Sequence, residues 1–273
     1  MKRSSGELGE CGVGWLPRLA SANLHHGEEP PICGTRGSGT IFLAGCNLGC
    51  VHCQNFPISQ LRNGEGLEPE RLAERMLDLQ QRGAHNINLV TASHCVPQML
   101  KALYHAHRSG LALPVVWNSS GYDAVPMLRL LEGIVDVYLP DLKYGDDEQA
   151  VEISRAESYW KVATAALTEM QRQVGALVLD EQGIAQRGLI VRHLVLPDGR
   201  AGSRRVLEWI ASALGRDTCV ALMSQYFPAH RAAELPGMDR RVSPEEYGEA
   251  CAWLEQCGLE RGWVQDEGLP GGA

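Results

Sequence analysis

Several features that assign proteins to broad classes are missing from this 273-residue sequence, and each absence removes a class. No apolar run reaches the roughly 18 residues that a membrane-crossing helix needs, so no membrane partner is expected. Residues 1–10 are polar and lack the apolar stretch of a secretory signal, which makes a cytoplasmic location the default. No basic block stands out. The chain sets 25 Lys and Arg against 33 Asp and Glu, a formal charge of −8, and offers nucleic acid no electrostatic footprint. Internal repeats and low-complexity linkers are also absent. What remains is ordinary globular composition, 44% hydrophobic and 21% charged, in a chain long enough for one large core or two modest domains.

Cysteine, by contrast, is plentiful, with nine residues. In a reducing compartment clustered cysteines point to metal or redox chemistry rather than to disulfides. Three of them lie in Gly45-Cys46-Asn47-Leu48-Gly49-Cys50-Val51-His52-Cys53-Gln54-Asn55. Gly45 and Gly49 let the backbone fold tightly around a ligand. Three close thiolates suit three corners of a cubic iron–sulfur cluster, and no fourth cysteine is near, so one iron is left for another ligand. An open metal position marks a catalytic rather than a structural site. A zinc site needs a fourth donor; His52 is one by type, but it adjoins Cys53 directly, which disfavours chelation of one ion by all four. Cys95, Cys219, Cys251 and Cys257 read as buried or helix-face thiols, and Cys11 as an orphan.

Between the ends, short apolar runs alternate with amphipathic segments. Strands are expected at 40–44, 87–91, 114–118, 134–141, 189–197 and 219–226, several of them apolar on both faces. Helices are expected at 69–82, 96–108, 124–131, 157–174, 202–214 and 244–257. Strand–helix alternation with long crossovers means a parallel sheet, and about six units give an α/β fold, a partial (β/α)6 TIM-like barrel. Residues 1–38, rich in Gly and Pro, read as an irregular N-terminal cover segment, 39–265 as the barrel domain and 266–273 as a flexible tail. In such folds chemistry sits at the C-terminal strand ends. That rule selects the cysteine loop, Thr91 with Ser93 and His94, Asn118 with Ser119 and Ser120, and Asp141 with Lys143. Arg192 and His193 are adjacent within one strand, so only one faces the barrel interior.

The cysteine loop resembles the cluster motif of the radical S-adenosylmethionine superfamily. Glu29-Pro30-Pro31-Ile32, Gly37-Ser38-Gly39-Thr40-Ile41-Phe42, Asn118-Ser119-Ser120-Gly121-Tyr122, Asp141-Leu142-Lys143 and Arg192-His193-Leu194-Val195 extend the likeness to the pyruvate formate-lyase activating enzyme-like subgroup. The resemblance implies a 4Fe–4S cluster on Cys46, Cys50 and Cys53. It implies S-adenosyl-L-methionine bound by His52, Thr91, His94, Asn118, Ser120, Asp141 and Lys143, with His52 where an aromatic residue usually lies against the adenine. The implied activity is reductive cleavage of that cofactor to a 5′-deoxyadenosyl radical, which abstracts hydrogen from a substrate. No side chain is assigned a catalytic role, since the cofactor supplies the chemistry. The implied partners are an electron donor such as flavodoxin or ferredoxin and a glycyl-radical protein. A small-molecule or peptide substrate is the alternative, and a non-catalytic iron–sulfur or zinc-binding module the reading from another class. Relatives in the subgroup carry further cysteines upstream of the position of Cys11. The chain begins after them, and no second metal site is expected.

Overall fold

The computed structural model describes residues 3–265, so the tail expected at 266–273 lies outside the described residues. Its frame is one ten-stranded sheet. The strands are β1 (Arg18–His25), β2 (Ser38–Ala44), β3 (Glu65–Gly66), β4 (Ile87–Val90), β5 (Val115–Ser119), β6 (Val137–Pro140), β7 (Val178–Leu179), β8 (Ala185–Leu194), β9 (Cys219–Met223) and β10 (Gly262–Val264). The helices are α1 (Pro30–Cys33), α2 (Phe56–Ser59), α3 (Pro69–Gln81), α4 (Val96–Arg108), α5 (Val125–Arg129), α6 (Asp147–Ser154), α7 (Tyr159–Val174), α8 (Ser203–Trp209) and α9 (Pro244–Gln256). Strands β2, β4, β5, β6, β8, β9 and β10 run parallel in that order, the frame of a partial barrel.

Every one of the six expected strands and helices is present, with ends moved by a few residues. The reasons are local. Helix α3 opens on Pro69 and buries Leu72, Met76 and Leu79 on one face. Helix α9 is opened by a reciprocal capping box between Ser243 and Glu246. The strands carry apolar residues on both faces because helices cover the outside and other side chains fill the inside. In β5, for example, Val115 and Trp117 join the outer core while Val116 joins the inner one.

The N-terminal segment is a correction. It was expected to be irregular up to Ser38, but β1 pairs antiparallel with β2 over almost its whole length, and β3 pairs with β1 in turn. Its side chains are mostly half-buried, so the segment shows neither a clean alternation nor an apolar run. His25 pairs with Ser38, the first residue of β2, so the chain leaves β1 at the N-terminal end of the barrel. From there α1 closes that end. Ile32, fully buried, packs with Val116, Val137, Leu139, Ile190 and Cys219 inside the sheet. Asn86 donates to the Ile32 carbonyl at 2.7 Å and accepts from Ser38 at 2.7 Å, which satisfies the polar groups of this plug. Short elements also escaped the sequence reading, among them α2 and β7, and two of the others matter here. Strand β10 adds a short seventh parallel strand at one edge. Helix α6, eight residues long, is capped by Asp146, whose side chain accepts from the Glu148 and Gln149 N–H groups.

Candidate active site

The cysteine loop follows β2 at the C-terminal end of the parallel strands. Gly45 makes the turn with φ +87°, and a Cβ there would lie 2.4 Å from Val13 Cγ2 and 2.9 Å from the Cys11 carbonyl oxygen. Glycine is required at this position by both conformation and space. The rest of the loop is pinned by its neighbours. Gly49 N–H donates to the Ser154 carbonyl at 2.8 Å and Val51 N–H to the Ile153 carbonyl at 2.9 Å. The last turn of α6 therefore gives its free carbonyls to the loop. Leu48 and Val51 are buried and anchor it in the core.

This arrangement turns Cys46, Cys50 and Cys53 toward one cavity of about 180 Å³. Burial pushes the Cys46 thiol up to about 12, with Cys50 and Cys53 adding to the rise, and burial also raises Cys50. Such thiols give up their protons when a bound metal supplies the compensating charge. Among the described residues no three His, Cys, Asp or Glu side chains converge as ligands of a single ion would. Thiols spread around a cavity suit a cluster in which each binds a different iron.

The opposite wall comes from strand ends. Thr91, Asn118, Ser119, Ser120, Asp141 and Lys143 line the same cavity, together with Arg192. Thr91 sits just past β4 with φ +57°, uncommon for a β-branched residue, and its N–H donates to the Asn118 carbonyl at 2.8 Å. The Ser120 hydroxyl is buried and has no protein partner. Tyr159, fully buried on α7, bonds to the ends of β5 and β6 at once. Its O–H lies 2.9 Å from the Ser120 carbonyl and 3.1 Å from the Asp141 carbonyl, and it accepts the Lys143 N–H at 2.8 Å. The unpartnered Ser120 hydroxyl, the Asn118 amide and a lysine facing three thiols form a polar set that fits an iron–sulfur cluster beside a polar nucleoside ligand.

Beneath that wall lies a buried charge network. Lys143 Nζ meets Asp141 Oδ2 at 2.5 Å, and Arg192 Nε meets Asp141 Oδ1 at 2.7 Å. Arg192 also donates to Asn118 Oδ1 at 2.7 Å and pairs with Glu28 at 3.3 Å and Glu29 at 3.8 Å. Glu28 accepts from Asn88 at 3.2 Å and from Asn118 at 3.4 Å. Both glutamates reach in from the segment between β1 and α1. Burial pushes Asp141 up, but Arg192 and Lys143 outweigh it and hold its carboxyl below the ordinary range. Burial pulls Lys143 down, and Asp141 and Cys50 outweigh that, so the ammonium persists. Glu29 differs: burial dominates and pushes it up to about 7 despite Arg192.

Two expected residues stand elsewhere. His52 does not line the cavity. Cys50 and Cys53 take the cavity side of the loop, and Val51 and His52 between them turn into the protein. The His52 ring centroid lies 5.6 Å from that of Tyr226, and burial lowers its pKa to about 3. His94 Nε2 lies 3.1 Å from the Ala44 carbonyl, supporting the turn before Cys46 rather than the cavity wall, and burial lowers it to about 4. Of the adjacent pair in β8, Arg192 faces inward, while His193 faces out and lies 2.6 Å from the Leu142 carbonyl and 2.9 Å from Ser203 Oγ. The sequence reading gave no role to Glu28, Tyr159 or Ser154, and noted Glu29 only within the Glu29-Pro30-Pro31-Ile32 likeness. An acidic pair next to Pro-Pro was the one local signal for Glu28 and Glu29.

The chain is 31% identical over 245 residues to an uncharacterized protein of Methanocaldococcus jannaschii, covering 87% of this chain and 67% of that one. It superposes on the FeFe-hydrogenase maturase HydG from Carboxydothermus hydrogenoformans with a TM-score of 0.52 at 12% identity, over 80% of this chain and 50% of that chain. A second HydG structure gives 0.50 at 11% identity, over 80% and 48%. The chain thus spans about half the length of these solved structures, and at such identity they show the fold alone. The model of the radical SAM superfamily matches residues 40–176, half of the chain, from β2 and the cysteine loop through α7. The chain belongs to the radical S-adenosylmethionine superfamily, whose members bind a 4Fe–4S cluster and S-adenosylmethionine.

Proposed function

We propose that Cys46, Cys50 and Cys53 hold the cluster, and that Thr91, Asn118, Ser120, Asp141 and Lys143 receive S-adenosylmethionine on the facing wall. When bound, a cluster reduced by one electron from an external donor would pass that electron to S-adenosylmethionine, giving methionine and a 5′-deoxyadenosyl radical that takes hydrogen from a substrate. The observation that carries the reading is the single cavity shared by three thiols and by strand-end donors from β4, β5 and β6. The residues have separable tasks. Lys143, kept charged by Asp141, offers a point charge to a carboxylate. Ser120 offers its unpartnered hydroxyl to a sugar or amine. Leu48, which lines the cavity beside the thiols, and Val51, buried behind the loop, put apolar surface next to the cysteines.

The finer proposal is a glycyl-radical activating enzyme of the cytoplasm, served by a flavodoxin or ferredoxin and acting on a glycine loop of a partner protein. It is supported by the Asp141-Leu142-Lys143 motif, whose two charged members line the cavity. Anaerobic reconstitution with iron and sulfide, then dithionite and S-adenosylmethionine, tests the first level: 5′-deoxyadenosine is expected. A reconstituted cluster that yields none, with no spectral change on adding the cofactor, would leave a non-catalytic module. A glycyl radical seen by electron paramagnetic resonance in a co-incubated protein tests the second level. Its absence with every encoded candidate turns the assignment to a small molecule or peptide.

A further inference from the structure

Each thiol of the loop has a donor group near its sulfur, a backbone N–H for Cys46 and a serine hydroxyl for Cys50 and for Cys53, and Cys46 Sγ also lies 3.9 Å from Asn47 Oδ1. Leu48 N–H points at Cys46 Sγ from 3.4 Å. Ser59 Oγ, half-buried at the end of α2, lies 3.2 Å from Cys53 Sγ. Ser154 Oγ, fully buried at the end of α6, donates to Cys50 Sγ at 2.9 Å. Behind Ser154 stands Tyr144, also fully buried, with its phenol oxygen 2.5 Å from Ser154 Oγ.

A metal-bound thiolate has no proton and accepts only. That fixes the direction of the chain. Ser154 gives its one proton to Cys50, and its oxygen then takes the proton of Tyr144. Two hydroxyls in series, both out of water, polarise each other and strengthen the final bond to sulfur. The same turn of α6 anchors the loop through the Ile153 and Ser154 carbonyls, so the donor is held at a fixed place relative to the sulfur.

Resting on the function proposed above, we propose that Ser154, backed by Tyr144, is a positioning residue that raises the reduction potential of the cluster through Cys50. Reduction adds one electron to the cluster and makes or breaks no bond in the protein. The added charge spreads onto the cysteine sulfurs, and a donor on one of them stabilises the reduced state more than the oxidised one. Ser154 is the strongest of the three candidates because its bond is the shortest and driest. Lys143 also acts on Cys50, but through charge alone, and it is unchanged by substitutions at Ser154 or Tyr144.

The test compares full-length wild type, Ser154→Ala, Tyr144→Phe and Ser59→Ala after anaerobic reconstitution. Iron content is measured first, then the midpoint potential by dithionite titration followed by electron paramagnetic resonance. Ser154→Ala should keep about four irons per chain. Its reduction equilibrium should become on the order of tenfold less favourable, which is a fall of about 59 mV for a one-electron couple. Tyr144→Phe should shift in the same direction by less, and Ser59→Ala by less than Ser154→Ala. Unmoved or raised potentials with intact clusters overturn the inference while leaving the enzyme reading in place. Should Ser154→Ala fail to take up iron, Tyr144→Phe decides, and no fall there overturns it. A wild type that binds no iron overturns the underlying reading, and this one with it.

Discussion

The two walls of the cavity are built on opposite plans. The cysteine loop is eight residues of contiguous chain whose thiols face the cavity, and its backbone is tied down by α6. The facing wall rests on a network drawn from residues as far apart as Glu28 and Arg192, whose charges face one another. The loop's thiols face the cavity, whereas most polar atoms of the network meet one another, with Glu29 Oε2 and Asn88 Oδ1 as exceptions. A polar group aimed at a ligand contributes to function, whereas one aimed at a buried partner contributes to the fold. Asp141 and Lys143 do both, since they pair with each other and also line the cavity.

The largest effect should come from the loop, in function alone. Cys50→Ala is expected to abolish 5′-deoxyadenosine formation and cluster uptake, while the iron-free protein unfolds at nearly the wild-type urea concentration. Iron analysis, product chromatography and urea melts on one preparation check this. A variant that keeps turnover would break the contrast.

The network should show the reverse pattern. Arg192→Ala leaves Asp141, Glu28 and Glu29 without their shared cation, and removing one partner of a buried pair costs about 3–5 kcal/mol. Urea unfolding of the iron-free protein should show that loss. A stability loss below about 1 kcal/mol would mean that water reaches the network and screens it.

Glu29 sharpens the same contrast through pH. Its carboxyl titrates at about 7 in the fold against 4.5 in the unfolded chain, so between these values the folded state holds a proton that the unfolded state has lost. Its contribution to stability is therefore full below about 4.5, falls as pH rises to about 7, and stays constant above. His52 and His94 act with the opposite sign: their lowered pKa values make stability rise with pH between about 4 and 6.5. The informative quantity is thus the difference between wild type and Glu29→Gln, which keeps the neutral shape. That difference should favour the variant increasingly as pH rises toward 7, measured by urea unfolding across pH 5 to 8. A flat difference would show that Arg192 keeps Glu29 ionised.

The same division explains what could be read from the sequence. The cysteine loop was legible as a candidate site because its pattern is local: three cysteines, two glycines and a preceding strand are adjacent in the chain. The strand-end residues Asn118, Asp141 and Lys143 were legible through a topological rule, once strand–helix alternation implied a parallel barrel. His52 was misplaced because a resemblance matches positions in the chain, and position alone does not tell which side of a tight loop a side chain takes. Glu28 and Glu29 were invisible as network members because nothing local records that β1 delivers the chain to the closed end of the barrel. Ser154 was missed with α6, although Asp146 followed by Asp147 and Glu148 is a helix-start signal.

The smallest predicted effect tests the loop against itself. Gly45 and Gly49 look equivalent in sequence, each just before a cysteine. In the structure, Gly45 has φ +87° and backbone and side-chain atoms inside 3 Å of a would-be Cβ. Gly49 has no positive φ, and the nearest atom to its would-be Cβ is Arg155 Cδ at 3.1 Å, part of a flexible side chain that can swing away. Gly45→Ala should cost about 1–2 kcal/mol for the left-handed backbone, and more for the approach to the Cys11 carbonyl. Gly49→Ala should lie within about 0.5 kcal/mol of wild type, because lost freedom in the unfolded chain offsets the displaced arginine. Thermal melts of the iron-free variants distinguish the two, and equal losses would mean that α6 holds the loop too rigidly for Arg155 to move.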